Sequence, residues 1–149
     1  MSFDKIKKKP YCNSVLESHA LEQYWNEKGG LVYTEFNTTY GFEGKMRALD
    51  AIRFPELEKG IFRARHRYEE IKSLITKYEV ELIEVLNWGF YGFGQLVGKS
   101  EIVQNHWSPK KIKKILITLG PNEFHPEKNP DPLTEEVFKK FEIEIFVPQ

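Results

Sequence analysis

The strongest constraint on how this chain can fold is a pair of acids set in two apolar runs that read as β-strands: Asp50 in RALDAIRF and Glu84 in VELIEVL. Side chains on a strand alternate between faces, so Asp50 shares its face with Ala48, Ile52 and Phe54, and Glu84 shares its face with Leu82 and Leu86. Both acids therefore point where the apolar residues point. Burying an ionised carboxylate costs several kcal/mol unless a cation or hydrogen bonds replace the lost water. Either each acid pairs with a buried Arg or Lys, or the two share one cation. Two acids on neighbouring strands, in this order, point to a metal site.

The rest of the chain supplies the frame for those strands. Residues 14–28 carry Val15, Leu16, Ala20, Leu21, Tyr24 and Trp25 at helical spacing, and Gly29-Gly30 stops them. Residues 31–36 read as a strand, 38–45 as a turn or loop, and 47–54 as the second strand, which Pro55 ends. After a break at Gly60, the stretch 64–78 places Tyr68, Ile71, Leu74, Ile75 and Tyr78 on one stripe of a helix. The third strand is 80–86. Residues 90–107 are expected to be a helix that something approaches closely, because Gly92, Gly94 and Gly98 interrupt its apolar positions. Strand 113–118, a Pro-rich loop over 121–132, helix 133–141 and strand 142–147 complete the order. That order is αβββαβαβ with an extra helix inserted before the third strand. It implies an α/β fold with a mixed β-sheet flanked by helices, its early strands antiparallel and its fourth strand parallel to its third.

Composition narrows the function without naming it. With 149 residues, 40% of them hydrophobic, the chain can bury one good core and reads as a single domain over 1–149, opening on a basic arm at 1–13. A formal net charge of zero means that any site for a polyanion must be local. Cys12 stands alone, so no internal disulfide is expected. The start MSFDKIKKKP has no apolar stretch after its lysines, and no segment reaches membrane-spanning length. These features predict a cytoplasmic protein with no membrane partner. The four histidines lack an HExxH spacing, and no GxSxG or P-loop pattern occurs.

Arg47-x-x-Asp50 on one strand, Glu84 on the next and Gly94-Gln95 on the following helix together resemble the PD-(D/E)xK nuclease superfamily, the fold of restriction endonucleases and archaeal Holliday-junction resolvases. The resemblance spans roughly residues 16–103 and rests on short, degenerate motifs. It implies a restriction-endonuclease-like sheet, Mg²⁺ or Mn²⁺ as cofactor, and DNA as partner. It assigns the metal to Asp50, Glu84 and the Val85 carbonyl, with Glu17 of the first helix joining the site (Glu22 being the other candidate) and Gln95 as the helix glutamine. The chain departs from the family pattern where a lysine should follow the glutamate by two residues; Leu86 stands there. Lys99 lies four residues after Gln95, on the same helical face, and is either its replacement or a solvated helix residue. Two functions follow: a metal-dependent endonuclease acting on DNA phosphodiesters, or a catalytically lapsed nuclease fold serving as a nucleic-acid-binding or protein-interaction module.

Cationic and aromatic clusters offer secondary contacts. Lys45 and Arg47 flank the second strand, and Arg63, Arg65 and Arg67 open the insertion's helix, where they are expected to touch phosphate or support a homodimer. Lys110, Lys111, Lys113 and Lys114 form a further basic run, which reads as a phosphate contact or a solvated face. Trp88, Phe90, Tyr91 and Phe93 read either as a base-stacking run or as core and dimer contact.

Overall fold

A computed structural model describes residues 15–42, 44–86, 90–118 and 132–148. The basic arm at 1–13, Trp88 and the Pro-rich stretch to residue 131 lie outside the described residues, as do the side chains of Leu86, Phe90 and Tyr91. The first helix, α1 (Val15–Lys28), ends where Gly29 and Gly30 take φ of +70° and +81°, a region that glycine enters without steric cost. Gly30 meets a second demand, since a Cβ there would lie 2.9 Å from the Phe54 carbonyl oxygen. Then follow β1 (Leu31–Asn37), β2 (Ala48–Phe54), β3 (Gly60–Arg63), α2 (Tyr68–Ile75), β4 (Glu79–Leu86), α3 (Phe90–His106), β5 (Lys111–Thr118), α4 (Pro132–Lys140) and β6 (Ile143–Phe146).

The strands form one six-stranded mixed sheet in the order β3-β1-β2-β4-β5-β6. β2 runs antiparallel to both β1 and β4, whereas β4, β5 and β6 are mutually parallel, each link spanned by a crossover through α3 or α4. The antiparallel start and parallel finish agree with the expectation from the element order. One strand differs. Gly60, read as a break, begins β3, which pairs parallel to β1 at the sheet edge, so the arginine-bearing stretch is strand and turn before it is helix. Accordingly, α2 starts at Tyr68 and the earlier expectation of a helix from residue 64 is corrected.

Each face of the sheet carries its own apolar layer. Leu21, Tyr24 and Trp25 of α1 pack on Val32, Ala51, Ile83, Val85, Ile115 and Ile117. The opposite layer joins Ile71 and Ile75 of α2, Leu96 and Val103 of α3 and Phe138 of α4 to Tyr33, Ile52, Phe54 and Leu82. Among the described residues, no helix is long and apolar enough to cross a membrane.

A buried ion pair ties the first layer together. Arg53 Nη1 lies 2.6 Å from Glu81 Oε1, with both side chains under a tenth exposed. Arg53 Nε donates to the Gly29 carbonyl at 2.7 Å and Nη2 to the Lys28 carbonyl at 3.0 Å, so the guanidinium caps the C-terminus of α1. Tyr24 OH donates to the same Glu81 oxygen at 2.8 Å, and its own proton is held more tightly than usual, first by burial and then by the Glu81 charge. Removing one partner of a buried pair strands the other, so Arg53→Ala is expected to lower stability by about 3–5 kcal/mol in urea unfolding. A loss below about 1 kcal/mol would mean that α1 is anchored by its apolar face alone.

Candidate active site

The two antiparallel strands that carry the acids part company at the acids. Pairing of β2 with β4 runs from Arg53↔Glu81 to Ala51↔Ile83 and stops there. One step further, the Asp50 carboxylate accepts the Val85 N–H at 2.7 Å, a bond that a backbone carbonyl would otherwise take. The exchange is reciprocal, because the Asp50 N–H in turn stabilises the ionised Glu84 carboxylate. Asp50 and Glu84 thus face each other across the opening between their strands.

A matching irregularity lies on β1. Glu35 has φ of +53°, and the β1–β2 register pairs Thr34 with Ala51 and Phe36 with Leu49 but leaves Glu35 and Asp50 between them unpaired. Alternation consequently slips by one residue: Tyr33 and Phe36 both face the larger apolar layer, as do Leu49, Ile52 and Phe54. The expectation that Asp50 simply continues the Ile52 and Phe54 face is corrected, for the slip turns it into a cleft. Such a disruption of the ladder bends strands and re-aims side chains.

That cleft encloses about 540 Å³. Glu17, Asp50, Glu84, Val85, Gln95 and Lys99, the six residues singled out as catalytic or metal-binding, all line it. Glu17 comes from α1, Gln95 and Lys99 from α3 on the opposite face of the sheet, so the gap between β2 and β4 is open to both layers. Lys99 Nζ donates to Glu84 Oε1 at 3.0 Å, with side-chain exposures of only 13% and 4%. Its reading as a solvated helix residue is therefore corrected. Glu22 pairs with His19 at 3.6 Å and does not line the cleft, which leaves Glu17 as the helix acid present there.

The arginines divide. Arg65 lines the cleft, but Arg63 Nη1 pairs with Glu35 at 3.5 Å, and Arg67 pairs with Glu70 at 3.6 Å while its guanidinium lies 4.0 Å from the Phe62 ring centroid. Lys45 and Arg47 are exposed on the β1–β2 connection and do not line the cleft, with the Arg47 Nη1 turned to the Met46 carbonyl at 3.3 Å. Three lining residues escape sequence reasoning. Glu35 looks like an ordinary solvent-facing strand position, Asn37 like a strand end, and Tyr68 like one more member of the α2 stripe; Tyr68 OH in fact accepts the Asn37 N–H at 3.0 Å.

Burial and then the charge of Glu84 push the Asp50 carboxyl up to about 7, against the Val85 N–H and Lys99, which favour its ionised form. Burial also raises Glu84, while Lys99 beside it acts in the opposite direction. Two enclosed carboxyl groups, both raised by burial, form once ionised a donor set that suits a hard cation such as Mg²⁺, which keeps several waters and takes only one or two protein carboxylates. Among the described residues, no three His, Cys, Asp or Glu side chains converge closely enough to hold an ion unaided. Comparison of the chain with protein-family models, curated proteins and solved structures found no match.

The raised carboxyl has a measurable consequence in metal-free buffer. Folding here retains a proton that the unfolded chain gives up near its ordinary value of 3.8, so stability from Asp50 is complete below about pH 4 and is lost as pH rises toward 7. The slope approaches about 1.4 kcal/mol per pH unit inside that window. Asp50→Asn keeps an acceptor for Val85 N–H and removes the charge. It is expected to flatten the loss and to be more stable than wild type at neutral pH in urea melts with EDTA. An Asn variant that unfolds more easily at every pH would show that Asp50 is a structural partner only.

Proposed function

We propose that this protein is a nuclease of the PD-(D/E)xK type, hydrolysing DNA phosphodiesters with Mg²⁺ or Mn²⁺ on a restriction-endonuclease-like sheet. The observation that carries the reading is the Lys99–Glu84 contact at 3.0 Å: the cation missing two residues after the glutamate arrives from α3 instead. Asp50 and Glu84 would hold the metal, with the Val85 carbonyl as the third group. When bound, the ion would polarise a phosphate and lower the pKa of a coordinated water. Lys99 would orient that water or hold its proton. Gln95, one helical turn before Lys99, and Arg65 at the rim, both lining the cleft, would fix the phosphate.

The competing reading, a lapsed fold that binds nucleic acid or protein, draws on the same contact, because an ammonium that already satisfies Glu84 leaves less need for a metal. Calorimetric titration with Mn²⁺ separates them. The nuclease is expected to bind Mn²⁺ and to cleave duplex, single-stranded or branched DNA; Glu84→Gln abolishes both. Lys99→Ala lowers cleavage by roughly 10²–10⁴-fold, the range of a positioned acid-base group, while Mn²⁺ binding persists. No Mn²⁺ binding and no cleavage would establish the lapsed reading.

Phosphate contact has its own signature. Arg65→Gln is expected to reduce the slope of log affinity against log salt by about one. Arg63→Gln and Arg67→Gln should change it less, since Glu35 and Glu70 already engage those side chains. A slope that ignores Arg65 would remove it from the interface.

A further inference from the structure

The connection between β1 and β2, through Met46, and the strand ends that flank it, through Asn37 and Ala48, form one wall of the cleft and carry an arrangement that the hydrolytic chemistry does not use. Its base is fixed by polar contacts. Asn37 Oδ1 accepts from Thr39 N at 3.1 Å, Thr39 Oγ1 at 2.9 Å and Arg47 N at 3.2 Å. Trp107 Nε1 donates to the Thr38 carbonyl at 2.8 Å from the far end of the α3 segment. On this fixed base, the Tyr40 ring stacks on Tyr68 with centroids 3.9 Å apart and planes 6° from parallel, and Phe42 packs on His106 at 4.7 Å. Tyr40 and Phe42 nevertheless stay 41% and 42% exposed, and Met46 of the same connection 70%. Each ring is thus supported by an aromatic neighbour and still open to solvent.

Cations accompany the rings. Lys72 Nζ lies 5.6 Å from the Tyr40 centroid, and Lys45 and Arg47 are exposed on the same connection. A nucleotide pairs an aromatic face with a phosphate, and this surface sets partly exposed aromatic rings beside cations, Lys72 itself held by Glu69 at 3.4 Å, next to a cleft read as acting on phosphodiesters. We infer that the β1–β2 connection is a stacking platform for unpaired bases, so that the substrate presents single-stranded nucleotides beside the bond to be cut. Base stacking is indifferent to sequence but requires the base to be free of a duplex. This inference rests on the nuclease reading of the adjoining cleft for its placement.

The test uses the full-length protein, fluorescein-labelled oligothymidylate, an abasic strand of the same length and a duplex of the same length, all in EDTA so that binding is read without cleavage. Wild type is expected to bind oligothymidylate roughly tenfold or more tightly than the abasic strand. The double variant Tyr40→Ala, Phe42→Ala should lose that preference, keep its duplex affinity within about twofold and keep its thermal midpoint, since both side chains are half exposed. Tyr40→Phe should retain the preference. Equal wild-type affinity for the base-bearing and abasic strands overturns the platform and needs no variant that must fold. A base preference that survives the double variant also overturns it. Discrimination for bases without any Mg²⁺- or Mn²⁺-dependent cleavage would keep the platform and remove the nuclease; cleavage without discrimination does the reverse.

Discussion

The register between β2 and β4 is the constraint on which the rest of the molecule depends. Arg53 faces Glu81 across that ladder, and the buried ion pair between them makes any other alignment costly. A slip of one residue would turn Arg53 away from Glu81 and uncap α1 in the same movement. The consequence reaches the cleft directly. Asp50 lies three residues before Arg53 and Glu84 three residues after Glu81, so the alignment that seats the guanidinium also sets the two acids opposite each other. One buried ion pair thereby sets the geometry of an acidic pair in the neighbouring cleft.

The two pairs answer the same electrostatic problem in different ways. Glu81 is fully met by a guanidinium and a tyrosine hydroxyl, and its surroundings are closed. Asp50 receives a backbone N–H and Glu84 a lysine, yet burial still raises both carboxyls, helped at Asp50 by the charge of Glu84 and at Glu84 by that of Glu17. Full compensation marks a structural contact, and incomplete compensation in an accessible cleft marks a site with work left to do. The positive φ at Glu35 belongs with the second kind, since a strand that gives up a ladder position there opens space that regular pairing would fill.

Much of this was legible in the residues themselves, and for definable reasons. Acids in apolar strands stand out because desolvation is expensive, and helical periodicity placed Gln95 and Lys99 on one face before any coordinates did. Glu17 was legible only as a residue of the first helix. What stayed hidden depended on tertiary context. β3 is four residues long and begins with glycine, so it has too few side chains to show a period of two. Glu35 adopts a conformation that its residue type does not advertise. The choice among Arg63, Arg65 and Arg67 turns on acids brought from β1 and α2, and no local pattern contains that information.

Helix α3 spans the distance between two unlike parts of the protein. Near its middle, Lys99 meets Glu84; eight residues later, Trp107, still bonded to the Val103 carbonyl at 2.9 Å, grips the Thr38 carbonyl at the base of the β1–β2 connection. At the helical rise, these points are about 12 Å apart along a single rod. The lysine and the brace under the connection therefore belong to one continuous helix, so the distance between the inner carboxylate and the outer aromatic surface is set by helical rise and not by loop conformation.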